Sequence, residues 1–187
     1  MANSIPDFDH NLVLPPHLGD PRGREQLSPY PCSTVELVRR FGVSHERCEI
    51  LRGFLGFRER LRATGLISGF QWLDGSFLED IETRENRAPR DLDVVTVYWN
   101  YDQAFQKTVI STFPEFANPS MAKANFALDH HPFDAGYSPE LTVEYARYWM
   151  LLFSHNRDGV WKGMLKIDLD TPALDNEARG LLNSTQT

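Results

Sequence analysis

Residues Gly69–Tyr98 read G-F-Q-W-L-D-G-S-F-L-E-D-I-E-T-R-E-N-R-A-P-R-D-L-D-V-V-T-V-Y. An apolar run ends in the Gly75-Ser76 turn, an acidic helix-like segment follows, and a second apolar run opens with two carboxylates one residue apart. Side chains alternate faces along a strand, so Asp91 and Asp93 point the same way while Leu92 and Val94 turn into a core. Two carboxylates side by side repel unless water screens them or a cation sits between them. Mg²⁺ is held through one or two carboxylates together with substrate phosphates. The Gly-Ser turn supplies the complementary half, because unpaired backbone N–H groups and the Ser76 hydroxyl suit a phosphate. These features point to a nucleotide–metal site. A competing reading pairs Asp91 and Asp93 with neighbouring arginines, which needs no ligand.

Working outward, 187 residues with 41% hydrophobic and 12% aromatic content provide the core of one domain. A net charge of −7 disfavours broad binding to a nucleic-acid backbone, so no long nucleic acid is expected. Cys32 and Cys48 lack metal-ligand spacing and read as free thiols of a reducing compartment. With no secretory pattern at the start and no apolar run of membrane-spanning length, the expected location is the cytoplasm, with no membrane partner.

Six of the twelve prolines, Pro6, Pro15, Pro16, Pro21, Pro29 and Pro31, fall in residues 1–31. That density rules out regular structure, and the apolar Ile5, Phe8, Leu12, Val13, Leu14 and Leu18 predict an extended arm laid across the domain or a partner. Residues 32–187 form the domain. Ser33 caps a short helix, and Ser44 caps a longer one reaching about Ala63, whose Arg52, Arg58, Arg60 and Arg62 read as a solvated face. Strands are expected over Ile67–Leu73, Asp91–Tyr98, Ala124–His131 (ended by Pro132) and Val160–Leu169. Helices are expected near Phe77–Arg84, over Tyr101–Phe113, and from Ser138 or Pro139 to Phe153. In the last of these, Leu141, Tyr145, Tyr148, Trp149 and Leu152 are spaced for burial. Pro114–Ser120 reads as a loop, and the final fifteen residues as a short helix with a frayed tail. The connector bearing Arg84, Arg87 and Arg90 is a polar loop beside the site. His130 and His131 are adjacent on a strand, point to opposite faces and are not expected to chelate one ion. Lys162 faces the phosphates or water.

The stretch Leu73–Ser76 followed by Asp91, Leu92 and Asp93 resembles the signature of the nucleotidyltransferase superfamily with the polymerase-beta-like fold. More narrowly, I-P-D-F-D, L-P-P-H-L-G, E-L-V-R-R-F-G, the central block and L-F-S-H-N-R-D-G-V-W-K-G-M-L resemble an uncharacterised bacterial family of small nucleotidyltransferase-like proteins. The fifteen positions from Ser76 to Asp91 slightly exceed the superfamily's usual spacer, which a loop insertion accommodates. The resemblance implies an α+β fold with a mixed sheet of about four strands packed against helices. It also implies Mg²⁺ held by Asp91, Asp93 and a third carboxylate on a later strand, with a nucleoside triphosphate as substrate. Asp129 fits the order of that third acid best, Asp134 lies close behind, and Asp168 with Asp170 is a rival. Gly75, Ser76 and Lys162 would then contact the phosphates. Small superfamily members often belong to toxin-antitoxin or phage-defence pairs, which implies a protein or small-molecule acceptor, or a binding module that covers a partner protein.

Overall fold

The computed structural model describes residues 5–184. Its helices start where short polar side chains satisfy the first free N–H groups. Ser33 and Glu36 form a reciprocal capping box on α1 (Thr34–Phe41), Ser44 caps α2 (His45–Ala63), and Asp80 caps the short α3 (Ile81–Glu85). Asp102, Asn118 and Ser138 do the same for α4 (Gln103–Thr112), α5 (Pro119–Phe126) and α6 (Pro139–Phe153), and α7 spans Pro172–Ser184. No helix among the described residues is long and apolar enough to cross a membrane.

The strands are β1 (Tyr30–Pro31), β2 (Gly69–Asp74), β3 (Leu92–Tyr98), β4 (Leu128–Asp134) and β5 (Leu165–Asp168). They form a five-stranded mixed sheet of order β1-β5-β2-β3-β4, so the expectation of about four strands is corrected by the addition of β1. β2 is antiparallel to both β3 and β5, whereas β1 runs parallel to β5 and β4 parallel to β3. One sheet face sends Leu73, Leu92, Val94, Leu165 and Ile167 into the main core, shared with α1, α2, α5 and α7. The opposite face carries a smaller cluster of Trp72, Val95, Val97, Phe133 and Met164, closed by Trp149 and Phe153 of α6.

Several expectations shift. The proline-rich arm lies on its own domain, with Ile5, Val13 and Leu14 each at most 1% exposed, and its last residues, Tyr30 and Pro31, form β1. The strand expected over 124–131 begins later, at Leu128, because Pro119–Phe126 is helical. Pro132 does not end it. β4 is an edge strand, where a residue without an N–H loses no ladder bond. The last strand is only Leu165–Asp168, and the last described element is the thirteen-residue α7, anchored by Asp175, Ala178 and Leu182; the tail expected after it lies outside the described residues.

Arg58, expected on a solvated face, is 2% exposed: its guanidinium donates to the Asp175 carboxylate, to Gln71 and to Thr171 between α2 and α7. The apolar stripe of α6 also differs from its reading. Trp149 is buried, but Leu141, Tyr145, Tyr148 and Leu152 are between 41% and 51% exposed. Helical spacing tells that a stripe exists, whereas a neighbour decides whether it is covered, and α6 meets only the small second cluster.

Candidate active site

The sheet register assembles the acids. Asp74 at the end of β2 stands opposite Asp93 on β3, and Asp93 stands opposite Asp129 on β4. Directly paired residues share a face. Three carboxylates therefore cross the sheet in a row, on the face of the smaller cluster, with Asp91 at the mouth of β3. They lie in a cleft of about 520 Å³ that is also lined by Gly75, Ser76, Lys123, His131, Trp149 and Lys162. Its size is ordinary for a small-molecule site.

Like charges so close must be compensated. Burial, and then the neighbouring Asp91 and Asp129 charges, push the Asp93 carboxyl up to about 6. Burial also pushes Asp74 up to about 7, against the opposing pull of Lys162 and the Gly75 N–H. Asp91 pairs with Lys123 of α5 at 2.5 Å, and Asp129 meets His131 Nε2 at 3.1 Å. His131 stacks on Trp149, whereas His130 points into the core, 2.8 Å from Thr96 Oγ1, so the two rings do face opposite ways. Burial pulls His130 down to about 3, which keeps that ring neutral.

Lys162, expected to face phosphates or water, lines the cleft but is not open to water. It is 3% exposed, with Nζ 2.9 Å from Asp74 Oδ1, 2.9 Å from Glu79 Oε1 and 3.2 Å from the Gly75 carbonyl. The ammonium donates hydrogen bonds to Glu79 and to the Gly75 carbonyl and is ion-paired with Asp74. Burial works against its charge, but Asp74 and Glu79 more than offset this and hold its pKa above the usual lysine range. Lys162 thus grips the Gly75-Ser76 turn from beneath. Arg47 grips it from α2, donating to the Phe77 and Glu79 carbonyls at 2.6 and 2.7 Å. The N-terminal arm completes the support: Val13 bridges Glu79, and the Leu12 carbonyl accepts the Asp80 N–H. Ser76 lines the cleft at the start of a 3-10 turn, Ser76–Leu78, whose first N–H groups have no acceptor within the turn.

The structure therefore brings Asp91, Asp93, Asp129, Gly75 and Ser76 around one cleft and places Lys162 under it. The rivals fall elsewhere: Asp134, at the far end of β4, accepts from Gln106, and Asp168 ends β5. Sequence reasoning missed Asp74, Glu79 and Lys123, which line the cleft from β2, the segment before α3 and α5, and Arg47 of α2, which holds the turn beside it. Only Asp74 carried a local signal, directly before Gly75 at the end of an apolar run. Among the described residues, no group of three or more His, Cys, Asp or Glu side chains is preassembled as a metal cage. The donors are hard carboxylate oxygens, the ligand type that Mg²⁺ takes in general, and the neighbouring charges add to burial in raising Asp93.

A five-stranded mixed sheet with helices on both faces and an acidic cleft at one end of β2, β3 and β4 defines an α+β protein with a charged pocket. The chain belongs to the family of unknown function DUF6932, whose model matches residues 6–168. Comparison with curated proteins and with solved structures gives no match.

Proposed function

We propose that the chain is a minimal nucleotidyltransferase, which moves a nucleoside monophosphate from a triphosphate to a hydroxyl of a protein or small-molecule acceptor and releases pyrophosphate. The observation that carries this reading is the cross-strand register that sets Asp93 beside Asp129, with Asp91 at the strand mouth and the Gly75-Ser76 turn against them. Asp91, Asp93 and Asp129 would hold Mg²⁺, which when bound neutralises charge on the phosphates and on the attacking and leaving oxygens. Gly75 and Ser76 position the phosphate chain through backbone N–H groups and a hydroxyl. Asp129, whose side chain is more open than that of Asp91, would take the proton of the acceptor hydroxyl.

The test is incubation of the full chain with Mg²⁺ and radioactive triphosphates in the presence of candidate acceptors. Asp93→Asn is expected to abolish labelling while leaving the fold intact; labelling that persists in this variant refutes the assignment.

A second reading is a binding module that keeps the fold and covers a partner protein, in the manner of an antitoxin. It is favoured by the exposed Leu141, Tyr145, Tyr148 and Leu152 of α6, which run up to the cleft at Leu152. Calorimetry separates the two: no heat of triphosphate binding at millimolar ligand with Mg²⁺ supports the module.

A further inference from the structure

Six cationic side chains line the cleft: Arg84, Arg87, Arg90, Lys123, Arg157 and Lys162. Four are committed to protein acids. Lys162 is held by Asp74 and Glu79, Lys123 by Asp91, Arg84 by Glu79 and Glu85, and Arg87 by Glu85 at 2.6 Å. Arg90 and Arg157 differ: among the described residues neither has an ion-pair, hydrogen-bond or ring partner, and both are exposed. They come from separate segments, Arg90 from the α3–β3 connector directly before Asp91, and Arg157 from the turn after α6. That turn is firm, because the Asn156 side-chain oxygen accepts the N–H groups of Asp158 and Val160 at 3.0 and 2.9 Å.

The accounting of charges is two-sided. After the internal pairs are removed, the anions left without a cationic Lys or Arg partner are Asp93 and Asp129, and the cations left over are Arg90 and Arg157. A cleft with uncommitted charges of both signs, in a chain of net charge −7, is poorly matched to a simple cation or a simple anion. It suits a ligand that carries a hard cation on one part and bare anionic oxygens on another, and guanidinium forks match phosphate oxygens in two-point contact.

We infer that Arg90 and Arg157 bind the outer phosphates of a polyphosphate chain whose inner, metal-bearing end lies at Asp93 and Asp129. This deepens the nucleotidyltransferase reading and rests on it, since the outer phosphates are the pyrophosphate that would leave. Both arginines are phosphate-binding residues, selective for chain length and indifferent to the base.

The experiment is calorimetry of the full chain with inorganic tripolyphosphate and with orthophosphate, each with and without Mg²⁺. The wild type is expected to bind tripolyphosphate more tightly than orthophosphate. Arg90→Gln and Arg157→Gln should each weaken tripolyphosphate by about tenfold, the scale of one lost charged hydrogen bond, and the double variant by more than either. Orthophosphate binding should change little, and Arg→Lys at either position should restore part of the loss. A single variant that binds tripolyphosphate like the wild type overturns the inference, as does a wild type without preference for the longer chain. The two readings fail separately: nucleotidyl transfer with wild-type tripolyphosphate binding in the variants removes only the role of these arginines. Arginine-dependent tripolyphosphate binding without transfer to any acceptor removes only the enzymatic reading.

Discussion

Gly75 packs its backbone against the carboxylate of Asp93: a Cβ at position 75 would stand 2.7 Å from Asp93 Oδ2 and 2.8 Å from its Cγ. Gly75 also has φ +86, a conformation that L side chains rarely adopt. The turn and the acid are therefore one unit, and any side chain at position 75 must move both. Gly75→Ala is expected to cost about 2 kcal/mol in urea denaturation, combining backbone strain with displacement of the carboxylate. It should also weaken Mg²⁺-triphosphate binding in calorimetry; a variant as stable as the wild type would show that the contact is slack.

The crowding of Asp93 predicts a pH signature in metal-free buffer. Its folded-state pKa is raised to about 6 from 3.8, so the folded chain holds a proton that the unfolded chain has already lost between those values. Stability contributed by this group is thus fully present below pH 3.8 and lost as pH rises through about 6. A shift of this size corresponds to up to about 3 kcal/mol at neutral pH. Asp93→Asn should accordingly be more stable than the wild type at pH 7 and lose that advantage by pH 4, as read from paired denaturation curves. An equal difference at both pH values would contradict the assigned cause.

Lys162→Met should be among the most damaging single changes. It removes the ammonium from Asp74 and Glu79, both at most 4% exposed, and leaves buried carboxylates without that partner. Breaking a buried pair in this way costs about 3–5 kcal/mol. Thermal denaturation at neutral pH reads the loss. If Lys162 were a phosphate ligand only, its removal would reduce triphosphate binding and leave the melting temperature unchanged.

Asp175 ties α7 to α2 through Arg58 and Arg62 and also accepts from Thr34 on α1. Asp175→Ala strands the buried Arg58 charge, with an expected loss of about 3–5 kcal/mol. The double change Arg58→Met with Asp175→Leu should cost less than the sum of the two single changes, because no lone charge remains in the core. Additive losses would show that the pair is not coupled.

Much of this architecture was legible along the chain because its causes are local. Serine caps at Ser33, Ser44 and Ser138 mark helix starts through hydrogen bonds spanning three residues, and the helices begin there. The apolar runs of β2 and β3 are legible by the same logic, as is the opposition of His130 and His131. Less legible were the elements whose state depends on a neighbour. Residues Pro119–Phe126 are read as a loop and the beginning of a strand, yet α5 forms there because its Ala122 is buried against the rest of the fold. Tyr30 and Pro31 give no periodic pattern, and they become β1 only because β5 offers an edge to pair with.

At the site the division is sharper. The order of residues set Asp93 on β3, Asp91 directly ahead of that strand and a Gly-Ser turn before both, since two-residue alternation and glycine's freedom at positive φ need no distant contact. Only the tertiary structure decided which further acids join them and which cations remain free. Asp129 reaches Asp93 through the parallel pairing of β3 with β4, and Lys162, from the segment before β5, is held beside the turn by Asp74 and Glu79. Charge pairing acts through space, between groups as far apart in sequence as Glu79 and Lys162, so neither composition nor spacing along the chain reveals it.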